Sequence, residues 1–416
     1  MMLRRILFSI MIHIYLMFDT SGLKIGGNQS LSDCTKGKMI QGYLPDSYFE
    51  NSDLYITTPA LLRKWGFPSE EHLILTEDGY YLTLHRIPGK PGAPPVLLQH
   101  GAWFTSFDWI VNGPSKALGL ILYNRGYDVW LGNARGNTYS LCHVNYTKFE
   151  NRYWNFSFHE MGIYDLPAVI TYITEETQQN VIYVGHSMGN TMSYIMAAEK
   201  PDIASKVKAM FGLSPVAYIS LKYSTLALGV HIPHILQAIS KTTGINNVLP
   251  QTPFIKRSLR FLCNPTKIQK SICAALIFLL VGFDYPQLDS DNFPLLLSHT
   301  PAGLALKSGL HFYQIVRNNI FSQFDYGTDK NLLYYNSSMP PGYNISNIKI
   351  PVGLLWSDND AILSEENVQH LYRQLPNGIL NYRVKYEKFN HIDFLWGIDA
   401  NKLVYPVLLS TMEKFK

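Results

Sequence analysis

The sequence is poor in cysteine and in net charge, and both shortages narrow the functions open to it. Its 416 residues include four cysteines, with neither a paired Cys-x-x-Cys nor a His-Glu-x-x-His motif, so no metal site is expected. The formal net charge is only +4 and no block of like charges occurs, which argues against nucleic acid as a partner. There is also no internal repeat and no low-complexity linker. A large globular enzyme or binding protein fits these limits.

The chain also lacks an apolar run long enough for a stable transmembrane span. Arg4 and Arg5 precede an apolar run over residues 6–18, and the small residues Ser21 and Gly22 follow it. This order predicts a cleaved secretory signal peptide over residues 1–21, with an uncleaved signal anchor as the alternative. The internal stretch SICAALIFLLVGF is short as well. It predicts either a buried helix of an inserted cap or a mobile lid that offers an apolar face to lipid.

Secretion gives meaning to two other features of the sequence. Five Asn-x-Ser/Thr sequons without a blocking proline are candidate N-glycosylation sites: Asn28, Asn145, Asn155, Asn336 and Asn344. Cys263 and Cys273 lie ten residues apart, so a local disulfide between them is an option outside the cytosol. Cys34 and Cys142 are a second possible pair, although spacing alone does not decide the connectivity.

The order of predicted elements indicates an α/β protein with a mostly parallel sheet. LILTEDGYYLTLHRI predicts a β-hairpin, and the following apolar runs alternate with helical patterns, as in NVIYVGHSMGN followed by TMSYIMAAEKP. From about residue 217 to residue 344 the alternation stops and the pattern becomes largely helical. We therefore predict a core built from residues 22–216 and 345–416, with a cap or lid inserted over 217–344.

The stretch VGHSMGN places Ser187 between Gly185 and Gly189. A predicted strand precedes it and a predicted helix follows, which is the setting of a nucleophile elbow that exposes a serine hydroxyl on a tight turn. An ordinary small-residue turn is the alternative when the pattern is taken alone. The neighbouring His186 is expected to support the turn by packing or hydrogen bonding rather than to act as a base.

Partners for Ser187 occur in the order serine, acid, histidine. LLWSDND offers Asp358 and Asp360 after a late strand, and KFNHIDF offers His391 after the next one. The backbone N–H of Met188 and that of Ala102, in LLQHGAWF, are placed to stabilise an oxyanion. These residues predict acyl transfer through a serine nucleophile, a histidine base and an orienting carboxylate.

Several stretches resemble the acid lipase family of α/β-hydrolases, the family of gastric and lysosomal acid lipases. They include LLQHGAWFTSFDWI, VWLGNARGNTYS, FSFHEMGIYDLPA, YVGHSMGNT and NHIDFLWGIDA, and they extend from about Pro59 to the C-terminus. The resemblance implies the α/β-hydrolase fold with an inserted helical cap and lid, no cofactor, and a secreted or lysosomal location. It also implies hydrolysis of triacylglycerols or sterol esters at a lipid–water interface.

Carried over by position, the resemblance assigns catalysis to Ser187, His391 and, across a gap, Asp360. It assigns the oxyanion amides to Ala102 and Met188 and a cap disulfide to Cys263 and Cys273. The chain departs from the family pattern at four places: Ala102 stands for leucine, Met188 for glutamine, Val281 for cysteine, and the acid loop is one residue shorter. The short loop keeps Asp358 as a weaker rival for the acid.

Two other functions fit the sequence less well. One is a lipid-binding protein that has kept the fold without catalysis, although inactive relatives usually lose a triad member and none is missing here. The other is a short-chain carboxylesterase or a serine peptidase on the same fold, which the long apolar insertion disfavours. The sequence gives no prediction for the oligomeric state.

Overall fold

The computed structural model describes residues 56–219, 246–263 and 266–416. The predicted signal peptide, Asn28, Cys34 and residues 220–245 of the predicted cap lie outside these ranges. In chain order the described strands are β1 (Glu70–Leu75), β2 (Tyr80–Ile87), β3 (Pro95–Gln99), β4 (Asp128–Leu131), β5 (Cys142–His143), β6 (Val181–Ser187), β7 (Val207–Pro215), β8 (Asn247–Val248), β9 (Leu304–Ala305), β10 (Val352–Trp356) and β11 (Gly378–Arg383).

A mostly parallel sheet of nine strands forms the centre of the described chain. Its order is β1-β2-β4-β3-β6-β7-β10-β11, with β5 paired to β2. The strands from β4 to β11 in this order are mutually parallel, while β1, β2 and β5 are joined through antiparallel pairs. The predicted β1–β2 hairpin is confirmed. The α/β class with a mostly parallel sheet is confirmed as well.

The helices follow the sheet strands as the sequence pattern predicts. They are α1 (Thr58–Lys64), α2 (Leu118–Asn124), α3 (Phe158–Glu160), α4 (Leu166–Thr177), α5 (Met188–Glu199), α6 (Pro201–Ala204), α7 (Pro253–Cys263), α8 (Lys267–Val281), α9 (Phe293–His299), α10 (Leu306–Asn318), α11 (Thr328–Tyr335), α12 (Glu365–Gln374), α13 (Asp393–Trp396), α14 (Ala400–Leu403) and α15 (Tyr405–Met412). Short 3-10 turns cover Ser106–Trp109, Tyr285–Gln287, Ile345–Asn347 and Glu413–Phe415, and a π-helical turn covers Met161–Asp165.

Burial explains why the central strands are continuous apolar runs in the sequence. Every residue of β3, β4, β6 and β10 is buried, because helices cover both faces of the parallel part of the sheet. The edge strand β1 instead leaves most of its residues at least partly exposed. Because β3, β6, β7 and β10 are parallel, their carboxyl ends lie at the same end of the sheet, where ligand sites of open α/β sheets form.

Between β7 and β10 the described chain is mainly helical, with β8 and β9 as a small separate ribbon. A disulfide joins Cys263 at the end of α7 to Cys273 within α8. The boundaries of the predicted insertion, 217 and 344, stay a prediction. Among the described residues, no helix combines the length and apolar character that crossing a bilayer needs.

Four of the five sequon asparagines are described, and all four are exposed: Asn145, Asn155, Asn336 and Asn344. Exposure is required for glycosylation, so each remains a candidate. Cys142 lies in β5, and its predicted partner Cys34 is outside the described residues.

Candidate active site

Ser187 stands on the turn that joins β6 to α5. It is the last residue of the strand, and helix α5 begins at the next residue. Its φ of 53° lies in the left-handed region that a serine rarely occupies. Such a conformation costs about 1–3 kcal/mol and persists only where the surrounding structure enforces it. The geometry is that of a nucleophile elbow, with the serine side chain carried on the tip of the turn.

Close backbone approach enforces this turn. A side chain at Gly189 would place its Cβ only 2.4 Å from the carbonyl oxygen of Gln99 at the end of β3. A side chain at Gly101 would place its Cβ 2.8 Å from the Cβ of Ser187. Both positions therefore need glycine, and the loop after β3 lies directly against the serine.

The structure brings Ser187, His391 and Asp360 into one hydrogen-bonded series. His391 Nε2 lies 2.8 Å from Ser187 Oγ, and His391 Nδ1 lies 2.8 Å from Asp360 Oδ2. All three residues are buried, with Ser187 the most accessible at 9%. Ser187 is the last residue of β6, and Asp360 and His391 lie on the loops after β10 and β11, so all three meet at the carboxyl end of the parallel strands. The arrangement allows the ring to take a proton from Ser187 Oγ while the carboxylate holds the other nitrogen.

Asp360 is held as an ionised carboxylate. Its Oδ1 accepts hydrogen bonds from the backbone N–H groups of Ile362 and Leu363, at 2.9 and 3.1 Å. Burial alone raises the pKa of Asp360, but the charge and hydrogen bond of His391, with a hydrogen bond from Ser214, outweigh burial and leave the pKa below its ordinary value. Its charge therefore stays available to an imidazolium at acidic pH.

The rival acid Asp358 points elsewhere. Its Oδ2 accepts hydrogen bonds from the guanidinium of Arg383, one of them at 2.8 Å, and the pair lies at the protein surface. The short acid loop thus presents Asp360 to His391, and Asp358 forms a surface ion pair.

The loop that carries Ala102 is fixed by the buried imidazole of His100. His100 Nδ1 donates to the carbonyl of Gly101 at 2.7 Å, and Nε2 accepts from the backbone N–H of Ala134 at 3.1 Å. Burial lowers the pKa of His100 to about 4, so the ring stays neutral and can hold both bonds. Met188, the other predicted oxyanion residue, is the buried first residue of α5. Both segments thus border Ser187.

His186 supports the histidine loop rather than the serine. Its Nε2 donates to the backbone carbonyl of His391 at 2.8 Å, and its Nδ1 has no partner among the described residues. Burial lowers the pKa of His186 to about 3, so the ring is neutral. The expectation of a supporting role for His186 agrees with this contact.

Ser214, at the end of β7, was not singled out by the sequence. Its Oγ lies 2.5 Å from Asp360 Oδ2 and 2.6 Å from His391 Nδ1. The Ser-Pro that ends the strand after the elbow was the available signal, but the contacts span 146 and 177 residues. Local sequence patterns do not reveal contacts of that separation.

A pair of buried carboxyl groups lies beside the histidine loop. Asp284 and Asp393 are hydrogen-bonding neighbours. Asp284 Oδ1 accepts a hydrogen bond from the hydroxyl of Tyr386. Its buried Oδ2 has no hydrogen-bond donor among the described residues unless one carboxyl of the pair is protonated. Burial raises the pKa of Asp284, and burial with the charge of Asp284 raises that of Asp393 well above its ordinary value. The pair therefore retains a proton where isolated aspartates have lost it.

No group of three or more histidine, cysteine or acidic side chains suited to a metal ion occurs in the part of the chain that the structure describes. The candidate site thus consists of the serine, the imidazole, the carboxylate and neighbouring backbone amides.

Comparisons with known proteins agree with the fold. A family model described as the alpha/beta hydrolase fold matches residues 94–398, and one described as a partial alpha/beta-hydrolase lipase region matches residues 58–113. The chain shares the fold of a Sulfolobus solfataricus protein described as a candidate lipase, with a TM-score of 0.52 and 14% identity over 81% of this chain and 90% of that one. Sheet, elbow and family model together define an α/β-hydrolase.

Two relatives show which family of α/β-hydrolases the chain resembles in sequence and length. The chain is 37% identical to lysosomal acid lipase/cholesteryl ester hydrolase of Homo sapiens, over 86% of this chain and 90% of that protein. It is 36% identical to gastric triacylglycerol lipase of Rattus norvegicus, over 87% of this chain and 93% of that protein. The chain belongs to the acid lipase family of α/β-hydrolases.

The acid pair predicts a pH-dependent effect of Asp393→Asn on stability. The folded state binds the Asp393 proton more tightly than the unfolded chain does, so this group costs stability as the pH rises above the ordinary aspartate pKa. Asparagine removes the titration and still accepts the Asn390 N–H bond. We expect the thermal unfolding midpoint of the variant to exceed that of the parent at neutral pH, with the difference vanishing at acidic pH.

Asp399→Asn is the matched control, because hydrogen bonds from Lys402 and Gln287 lower the pKa of Asp399. Asp399 therefore adds stability above the ordinary aspartate pKa, and its variant should lose stability at neutral pH. A difference between Asp393→Asn and the parent that is the same at every pH would reject the shared proton.

Proposed function

We propose that the protein hydrolyses carboxylic ester bonds of neutral lipids, triacylglycerols and sterol esters, with Ser187 as nucleophile. The observation that carries the proposal is the series of hydrogen bonds from Ser187 through His391 to Asp360 on a nucleophile elbow. The relatives named as a cholesteryl ester hydrolase and a triacylglycerol lipase supply the substrate class.

The proposed reaction follows from the positions of the three side chains. His391 Nε2 removes the proton from Ser187 Oγ as the oxygen attacks the ester carbonyl, and Asp360 stabilises the resulting imidazolium. The imidazolium then protonates the departing alcohol, which leaves an acyl group on Ser187. A water molecule, deprotonated by His391, hydrolyses that acyl-enzyme and restores the serine.

The backbone N–H groups of Ala102 and Met188 are the proposed oxyanion donors. Met188 opens α5, so its amide lies at the positive end of the helix dipole. Ala102 follows Gly101, whose backbone packs against Ser187 and is anchored by His100. A backbone donor does not depend on residue type, so methionine at position 188 is compatible with this role.

A stripe of exposed apolar residues on α8 is the proposed contact with the lipid–water interface. The stripe consists of Ile268, Ile272, Leu276 and Leu280, spaced four residues apart on one helix face. Ile268 and Ile272 are 73% and 57% exposed, whereas Ala274 and Phe278 on the opposite face are buried in the core. A soluble protein rarely exposes such a row unless it meets an apolar partner.

The stripe is tied to the proposed catalytic loops. At the end of α8, the carbonyl oxygen of Val281 accepts the backbone N–H groups of Ala361 and His391, at 3.3 and 3.2 Å. The carbonyl of Gly282 accepts the side-chain amide of Asn390 at 3.1 Å. Docking α8 on a lipid surface would thus set the orientation of the acid and histidine loops toward that surface.

We also assign the protein to the secreted or lysosomal compartment. The predicted signal peptide, the disulfide between Cys263 and Cys273 and the exposed sequons all suit an oxidising compartment. The names of two relatives, lysosomal acid lipase and gastric triacylglycerol lipase, support the same assignment.

Ser187→Ala tests the reaction. Loss of the nucleophile should reduce the hydrolysis of emulsified triolein and of a soluble p-nitrophenyl ester by about 10⁴-fold or more, with an unchanged unfolding temperature. Full activity of the variant would reject the mechanism. A parent protein that binds triolein without cleaving it would be a silent lipid-binding protein, and one that cleaves only acetyl esters in solution would be a short-chain esterase.

Asp360→Asn and Asp358→Asn test the acid as a matched pair. Asparagine at 360 removes the charge that stabilises the imidazolium, and kcat should fall by roughly 10³- to 10⁴-fold. Asparagine at 358 breaks only the surface pair with Arg383, and activity should change little. A larger loss at 358 than at 360, measured as kcat on the p-nitrophenyl ester, would reverse the assignment.

The interfacial role of α8 is tested by the double variant Ile268→Ser/Ile272→Ser. Hydrolysis of emulsified triolein should fall about tenfold or more, because two apolar side chains no longer leave water at the lipid surface. Hydrolysis of a soluble p-nitrophenyl ester should be unchanged. Leu75→Ser is the control, because Leu75 is also an exposed apolar residue, 51% exposed, but lies on the edge strand β1 of the sheet and not on α8. This variant should hydrolyse both substrates as the parent does. Equal loss on both substrates would mean that α8 acts on the fold rather than on the interface.

A further inference from the structure

Ser214 occupies an irregular position in the strand beside the elbow. In the pairing of β6 with β7, His186 lies opposite Leu213 and Ser187 lies opposite Pro215, so Ser214 is the extra residue of a bulge. Its φ of 49° is in the left-handed region, where glycine is favoured over serine. Bulges commonly redirect a side chain next to an active site. Here the redirected side chain is a fully buried hydroxyl.

The hydroxyl is aimed at the junction between the acid and the histidine. Its Oγ lies 2.5 Å from Asp360 Oδ2, to which it donates, and 2.6 Å from His391 Nδ1. His391 Nδ1 is itself 2.8 Å from the same Oδ2. Because the backbone amides of Ile362 and Leu363 hold the other carboxylate oxygen, Ser214 supplies the one side-chain donor besides His391 that the described residues give to Asp360.

The backbone of the bulge does not depend on this hydroxyl. The side-chain amide of Asn190 donates to the carbonyls of Leu213 and Ser214, at 2.9 and 3.4 Å, and holds the end of β7 from the elbow helix. A glycine would adopt the same backbone at lower cost. The hydroxyl therefore serves its contacts with Asp360 and His391, not the path of the chain.

We propose that Ser214 is a positioning residue of the hydrolytic site. Its hydroxyl orients the Asp360 carboxylate and, with it, the His391 ring toward Ser187. This inference rests on the proposed function, because it assigns Ser214 to the same Ser187–His391–Asp360 reaction. The residue touches neither the ester nor the attacking oxygen and acts through the acid and the imidazole.

The hydroxyl also helps to keep Asp360 ionised, because its hydrogen bond is one of the contacts that lower the pKa of this carboxyl group. By donating to Oδ2, it stabilises the charged form of the carboxylate. The other titratable groups facing His391 and Asp360 are His186 and Asp393. Burial lowers the pKa of His186 and raises that of Asp393, whereas the Ser214 hydrogen bond lowers that of Asp360, so loss of the hydroxyl should raise the pKa of Asp360.

Ser214→Ala and Ser214→Gly, measured together, test the proposal. Both remove the hydroxyl, but only glycine relieves the left-handed backbone. On a soluble p-nitrophenyl butyrate we expect both variants to lose kcat by about tenfold with little change in KM, since one hydrogen bond to a charged group is lost. In both, the acidic limb of the kcat/KM profile should move to higher pH by the same amount.

Ser357→Ala is the matched control, because Ser357 is buried directly after β10, at the start of the loop that carries Asp360, and its hydroxyl has no partner among the described residues. It should keep the parent kcat and pH profile. A parental pH profile and kcat in Ser214→Gly would overturn the positioning role, even if Ser214→Ala were impaired, because backbone fit would then explain the serine. Ser187→Ala separates this failure from that of the proposed function, since only the latter leaves Ser187→Ala active.

Discussion

The close approach of the elbow to the end of β3 is the constraint on which the rest of the site depends. Gly189 lies so near the carbonyl of Gln99 that no side chain fits between them. This contact fixes the start of α5 against the sheet and holds Ser187 in a backbone conformation that it would not adopt alone. The same contact brings the loop after β3, with Ala102, beside the serine. Nucleophile and proposed oxyanion donors thus share one packing interaction.

The acid and histidine loops are attached to the helical part between β7 and β10 as well as to the sheet. A single carbonyl, that of Val281, accepts hydrogen bonds from both loops at the end of α8. The exposed apolar stripe and the proposed base therefore belong to one connected unit. The proposed lipid-contacting helix α8 also ends on the histidine loop, which connects the proposed interface directly to the proposed base.

The sequence was sufficient for the features that depend on local pattern and chain order. Buried apolar runs gave the parallel strands, and Gly-x-Ser-x-Gly between a strand and a helix gave the elbow. It was insufficient between Asp358 and Asp360, which lie two residues apart on one loop. Which carboxylate faces the ring depends on where Arg383 and His391 lie in space. The roles of Ser214 and of the Asp284–Asp393 pair could not be predicted for the same reason, because each contact joins distant segments of the chain.

The protonation states of these buried groups together determine the charge around His391. His100 and His186 are kept neutral by burial, and the Asp284–Asp393 pair retains a proton. Asp360 is instead held ionised beside the imidazole, by His391, two backbone amides and Ser214. An imidazolium formed at His391 thus has the Asp360 carboxylate as its hydrogen-bonded counter-charge. Because burial keeps His100 and His186 neutral, neither ring adds a positive charge beside that imidazolium.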